Sequence, residues 1–175
     1  MPMWHVVQGR IVFPSSPFGQ SSIVSVGFAP DGSPIITGFY HQNLITIWNV
    51  TDGSVIHNLT GDPASNTYSV ALSPDDKTAL AAGIGGISLW YASSGNLMWH
   101  ISDFPDNLLY RFFSAAYSPP SLGEVLIAGK SLLLAKGIWQ RRNATTGDLK
   151  LEVFYDSASI VYDAVFSPDG EYILS

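Results

Sequence analysis

A chain of 175 residues and 18.9 kDa has room for one domain, or for a piece of a larger one. Hydrophobic residues make up 46% and charged residues only 13%, which excludes disorder and places much of the chain in buried or half-buried strands. The net charge is −6 and Lys77 is the only basic residue between Arg10 and Arg111, so clustered cations for a phosphate backbone are missing and no nucleic acid is expected as partner.

Without cysteine the chain can form neither disulfides nor thiolate metal sites. Its first ten residues lack the basic segment and apolar core of a signal peptide. The longest apolar stretch, Val125 to Trp139, is broken by Lys130 and Lys136 and is too short to span a bilayer. The expectation is a cytoplasmic or nuclear protein with no membrane partner.

In chain order, residues 1–13 read as a half-unit: a short strand to Val6 carrying Trp4, then a strand over Arg10–Phe13. A full unit follows over 22–59. Its first strand places Val24, Val26 and Phe28 on one face and Ser25 and Gly27 on the other. Ala29-Pro30-Asp31-Gly32 then supplies a type I turn, proline fixing φ and glycine suiting the last position. Three further strands are predicted at 34–39, 44–49 and 54–59, with Trp48 closing the third of the unit. The next unit, 67–101, repeats the pattern with Tyr68, Val70 and Leu72, a Ser-Pro-Asp turn and Trp90. In the unit over 111–154, Phe113, Ala115 and Tyr117 keep the bulky face. Arg142-Asn-Ala-Thr-Thr-Gly takes the tryptophan place there, with Trp139 displaced. A last half-unit, 160–175, holds Tyr162, Ala164 and Phe166, another Ser-Pro-Asp-Gly turn and a second strand. In each unit the bulky face is expected to pack on a neighbouring unit, and the small one to crowd a central axis.

Two landmarks keep phase. Phe28, Leu72, Tyr117 and Phe166 are separated by 44, 45 and 49 residues. Trp4, Trp48 and Trp90 are each followed by glycine five residues later. Four short strands in each period of this length define an all-β fold, a β-propeller of four-stranded antiparallel blades, with three complete blades and two complementary half-blades.

The turn after Phe28 and the strands Ile45-Thr-Ile-Trp48 and Ile87-Ser-Leu-Trp90 resemble the WD-repeat family, and the likeness runs through essentially the whole chain. Quinoprotein-like propeller repeats also use Ser-Pro-Asp turns and form the second choice. The match is degenerate. No tryptophan is followed by aspartate, the family's Gly-His survives only as Gly61-Asp62, and its aspartate before tryptophan is Gln42 or Ile84. The bracing hydrogen bonds of typical blades are therefore expected to be incomplete, with apolar packing carrying more of the stability.

The ends are complementary: residues 160–175 supply two first strands and residues 1–13 the last two. Joined in one molecule they make a fourth blade; two chains exchanging ends make a homodimer with an eight-blade ring. The third possibility is a fragment of a larger propeller, whose open strand edges invite aggregation.

Candidate chemistry is sparse. His5, His41, His57 and His100 have no ligand partner at metal spacing, most acids sit in turns where they bond their own backbone, and only Asp163 faces the axis. Gly83-Ile-Gly-Gly86 precedes a strand, so it reads as a tight turn and not a phosphate loop. Of the sequons at Asn49, Asn58 and Asn143, the first and last hold the same repeat position, so periodicity explains them. The third unit stands out, with about ten inserted residues and five of the eight basic residues: Lys130, Lys136, Arg141, Arg142 and Lys150. Loop growth on a solvated surface explains it; so does a contact for a protein partner through Trp139, Arg141, Arg142 and Lys136. The reading is an interaction scaffold or sensor without catalysis or cofactor. The resemblance implies binding through the loop-bearing face or the channel rim, either as a stand-alone scaffold or as the sensor after a nucleotide-binding domain. The alternative is a remnant of a propeller enzyme, hydrolase or quinoprotein-like.

Overall fold

The computed structural model describes residues 3–5, 10–13, 22–39, 44–59, 66–84, 86–102, 110–155 and 159–175, with side chains from 22 onward. The side chains of Trp4, His5, His41, Gln42, Gly61 and Asp62 lie outside that set. The described residues form strands and turns with no helix, hence no helix long and apolar enough to cross a membrane.

Every pairing is antiparallel. After the hairpin β1 (Met3–His5) and β2 (Arg10–Phe13) comes a four-stranded sheet in chain order: β3 (Ile23–Phe28), β4 (Ile35–Phe39), β5 (Ile45–Trp48) and β6 (Val55–Leu59). The second unit is β7 (Asn66–Leu72), β8 (Thr78–Ile84), β9 (Gly86–Tyr91) and β10 (Leu97–Ile101). The third is β11 (Tyr110–Tyr117), β12 (Glu124–Ser131), β13 (Lys136–Asn143) and β14 (Leu149–Phe154). One pair, Arg111 with Ile84, joins β11 to β8 and links these two units into a single eight-stranded sheet. The hairpin β15 (Val165–Phe166) and β16 (Ile173–Leu174) closes the series. It remains a separate sheet from β1–β2, so the pairings described do not unite the two end hairpins into a fourth unit.

The turns explain both landmarks. Gly32 N–H donates to the Ala29 carbonyl, Asp76 N–H to Ser73 and Gly170 N–H to Ser167, each at 2.9 Å, which closes the proline turns. The glycines five residues after the tryptophan place, Gly53, Gly95 and Gly147, have φ of 73°, 72° and 79°, a left-handed region that a side chain would strain. Asn49 and Asn143 each accept a turn N–H, from Thr51 at 2.7 Å and Thr145 at 2.8 Å, which gives the repeated asparagine a local purpose.

Three apolar clusters fill the seams between consecutive units. Val70, Leu72 and Trp90 pack on Ile36 and Ile47 of the first unit. Ala115, Tyr117 and Ile138 meet Leu80 and Leu89 of the second, and Val161 and Ala164 meet Leu126 and Ala128 of the third. The bulky face of a first strand thus packs on the preceding unit. In the first unit the same face is open: Val24, Val26 and Phe28 are 39%, 45% and 55% exposed, since no described residue covers it.

The small face is more than a steric fit. Ser25 Oγ accepts the Val70 N–H, Ser69 Oγ the Ala115 N–H (both 3.1 Å) and Ser114 Oγ the Ala164 N–H (3.3 Å). These serines stand at one repeat position, three residues before Phe28, Leu72 and Tyr117, and each ties its unit to the next. Asp163 holds the same position in the last hairpin, where its carboxylate accepts from the Ser114 hydroxyl at 2.5 Å. Farther out, His57 Nε2–H donates to the Ser93 carbonyl at 2.9 Å and Trp99 Nε1–H to that of Ala144 at 3.1 Å, across the first and second seams.

Polar bracing is present inside each unit all the same: the third and fourth strands share a polar pair at one position, Thr46 with Asn58 at 3.1 Å, Ser88 with His100 at 2.6 Å, and Gln140 with Glu152 at 2.6 Å.

Candidate functional site

Part of the third unit's extra length lies in its strands: β11, β12 and β13 are eight residues each, against seven, seven and six for β7, β8 and β9. Part lies in the turn between β12 and β13, which runs over residues 132–135. Lys130, Lys136, Arg141, Arg142 and Lys150 all stand in strands.

Strand alternation then separates the four candidate partner residues. Arg142 pairs with Val125 just as Trp48 pairs with Ile35, and it is 7% exposed. Its Nε donates to Gln140 Oε1 and its Nη1 to the Gly147 carbonyl, both at 2.9 Å. Burial lowers its pKa against the pull of Glu152, Tyr110 and Asp148. Arg142 is a core residue in the tryptophan place. Trp139 and Arg141 face the other way, Trp139 packing on the cluster of Leu126, Ala128, Val161 and Ala164. Lys136 begins β13 at the far end of the sheet. No single patch contains all four.

Arg141 belongs instead to an ion cluster on Glu124. Its guanidinium reaches the carboxylate at 2.6 Å, and Lys150 Nζ reaches the other oxygen at 2.9 Å. Burial works to raise the Glu124 carboxyl, but the hydrogen bonds from Lys150 and Arg141 outweigh it and hold its pKa below the ordinary glutamate value. Sequence reasoning read Arg141 as free for a partner because the acid, 17 residues away, falls opposite it only through sheet register.

Beside this cluster lies a cleft of about 390 Å³ between the second and third units. It opens at the end of the sheet that carries the proline turns. Pro74, Pro119, Pro120, Tyr91 and Met98 give it apolar walls, and Asp75, Lys77 and Glu124 stand among its lining residues. Tyr117 and Thr78, hydrogen-bonded through their hydroxyls at 2.9 Å, also line it. Burial pushes the Tyr117 phenol upward, against the Thr78 hydrogen bond, so it stays protonated. Asp75 is held below the ordinary aspartate value by the Ser73 hydroxyl and then by Lys77. Such a recess accepts an apolar side chain and orients a polar neighbour through charges at its mouth. The sequence signalled it only through paired proline turns of adjacent repeats.

A second row follows the first strands. Tyr68 and Phe113 have ring centroids 5.3 Å apart, and Phe113 and Tyr162 5.4 Å. Asp163 lies beside this row and is committed to Ser114. Among the described residues no group of three or more His, Cys, Asp or Glu side chains gathers as metal ligands.

Fold and cleft together define an all-β chain of repeated antiparallel four-stranded units with a recess at a seam. No family model matches the chain. No curated protein matches it either. Many solved chains do, 902 of them. One is a chain of Kuenenia stuttgartiensis hydrazine synthase, similar with a TM-score of 0.76 at 14% identity over 97% of this chain. The match spans 47% of that chain, so the present chain covers about half its length. The likeness establishes the fold. It also corrects the expectation that such a chain is not an enzyme: the same architecture occurs in a hydrazine synthase, so the fold gives no ground for setting catalysis aside.

Proposed function

We propose that this chain is a β-propeller, or part of one, built from degenerate WD-like blades, and that it serves as a docking platform for a protein partner. The cleft between the second and third units carries the reading, because its proline, tyrosine and methionine walls match a peptide's apolar side chain. Three units stacked seam to seam in chain order support the propeller arrangement. The open face of Val24, Val26 and Phe28 supports packing of a further unit there, from a longer chain or from a second copy closing an eight-blade ring. A monodisperse dimer by light scattering is the outcome expected for the ring.

The platform is tested by selecting displayed peptides on the full chain and repeating the selection with Tyr91→Ser and Lys77→Glu. Tyr91 is 47% exposed and Lys77 is exposed too, so both variants should keep the fold. Peptides lost from both variants place binding in the cleft. An unchanged set removes the cleft from consideration.

A second reading is favoured by the likeness to a hydrazine synthase chain: a propeller that works within an enzyme, of hydrolase or quinoprotein-like kind. Turnover in a hydrolase screen, or redox chemistry with an added quinone, would move it ahead of the first.

A further inference from the structure

The hairpin between β12 and β13 breaks the rule that the other repeat turns keep. Those around Gly32, Gly53, Asp76, Gly95, Gly147 and Gly170 are made mainly of Asp, Ser, Thr and Gly. This one is Leu132-Leu133-Leu134-Ala135, with the leucines 37%, 65% and 45% exposed. It is also held in shape. Leu134 N–H donates to Ser131 Oγ at 3.3 Å, and Ala135 accepts a φ of 53° to close the turn. Three consecutive apolar residues presented to water do nothing for folding, and such a run is a fault unless it has a function.

Cations stand at the same end of the sheet. Arg111 of β11 lies directly opposite Lys130 of β12, and Arg111 is exposed. Like charges in that relation repel, and among the described residues neither has an ion-pair partner. Lys136 pairs with Ser131, one step from Lys130, so strand alternation sets the two lysines on opposite faces of the hairpin. An apolar tip and an unrelieved cationic pair, each locally unfavourable, thus coincide.

We propose that this tip docks the protein on an anionic lipid surface, the leucines entering the acyl boundary while Arg111 and Lys130 meet headgroup charges. Two features select a bilayer over a protein groove. Successive side chains of a turn diverge, so no single groove receives all three leucines, whereas acyl chains accept them from any direction. The cationic pair next to an apolar tip is the combination that interfacial binding requires. The chain's net charge of −6 opposes approach from afar, but within a Debye length of about 10 Å the local pair dominates. This contact is with a surface and needs no spanning helix. The site lies at the opposite end of the sheet from the cleft and is independent of the platform reading.

Flotation of the full chain with phosphatidylcholine vesicles, with and without about 30% phosphatidylserine, reads the effect. Binding is expected to the anionic vesicles, falling with added salt. Leu→Ser at 132, 133 and 134 together should reduce partition on the order of tenfold or more. Arg111→Gln with Lys130→Gln should abolish the preference for phosphatidylserine. Circular dichroism checks that both variants are folded. Failure of the folded wild type to float with anionic vesicles overturns the proposal, as does undiminished binding by the triple serine variant. A triple variant that alters the oligomeric state while vesicle binding persists would assign the tip to a second copy and overturn it equally.

Discussion

The tryptophans of the first two units show how one residue changes the local account. Trp48 Nε1–H donates to Thr37 Oγ1 at 2.8 Å. In the second unit Ala81 stands where Thr37 does, pairing with Ser88 as Thr37 pairs with Thr46. The Trp90 indole nitrogen is accordingly buried without a protein partner. An unmet buried donor costs roughly 1–3 kcal/mol. Thr37→Val, which keeps the shape and removes the hydroxyl, should therefore lower stability by about 1–2 kcal/mol. Ala81→Ser should raise it, or at least not lower it. Urea midpoints at unchanged slope decide both, and a Thr37→Val protein as stable as the parent would refute the argument.

Glu124 sets a pH dependence at the same scale. Its folded pKa lies below the ordinary value, so the stability it confers is complete above the unfolded glutamate pKa and is lost as pH falls through the folded one. Glu124→Gln should lower the melting temperature more at pH 7 than at pH 3. Equal losses at the two pH values would show that the ion cluster is not responsible.

Among the elements, the second strands of the second and third units carry a glycine at one position, where Gly83 pairs with Thr67 and Gly129 with Phe112. A Cβ at Gly83 would collide with the Asn66 carbonyl, and one at Gly129 with the Arg111 carbonyl. Gly129→Ala should cost about 3 kcal/mol or more, because backbone has to move; a normal melt for that variant would mean the strands are farther apart. Strand positions, proline turns and the tryptophan phase were legible in the sequence, since alternation and turn chemistry act locally. The polar pairs of the third and fourth strands were not. Thr46 with Asn58 and Gln140 with Glu152 share spacing but no residue type, so no motif announces them. The buried place of Arg142 was hidden for a related reason. A buried arginine in the tryptophan place looks, in sequence, like any surface cation, and only the carbonyl of Gly147 and the amide of Gln140 reveal its use.

For the whole molecule, protection should follow the seams. β8, β9, β12 and β13 are buried along most of their length, whereas β3 alternates toward solvent and Tyr172 and Leu174 near β16 are 69% and 75% exposed. Amides of the second and third units are expected to exchange slowest, and those of β3, β15 and β16 fastest. Uniform exchange along the chain would mean that the outer faces are covered in solution.

The serine that each unit extends to its successor carries a consequence for how such a chain can change in size. The acceptor and the amide it serves both belong to the repeat, at fixed places in the first strand. A duplicated segment arrives with its own coupling at both ends, and deletion of one leaves its neighbours matched to each other. Growth or loss by a whole repeat then keeps this one hydrogen bond at every joint, while the apolar side chains of the seam are left to repack.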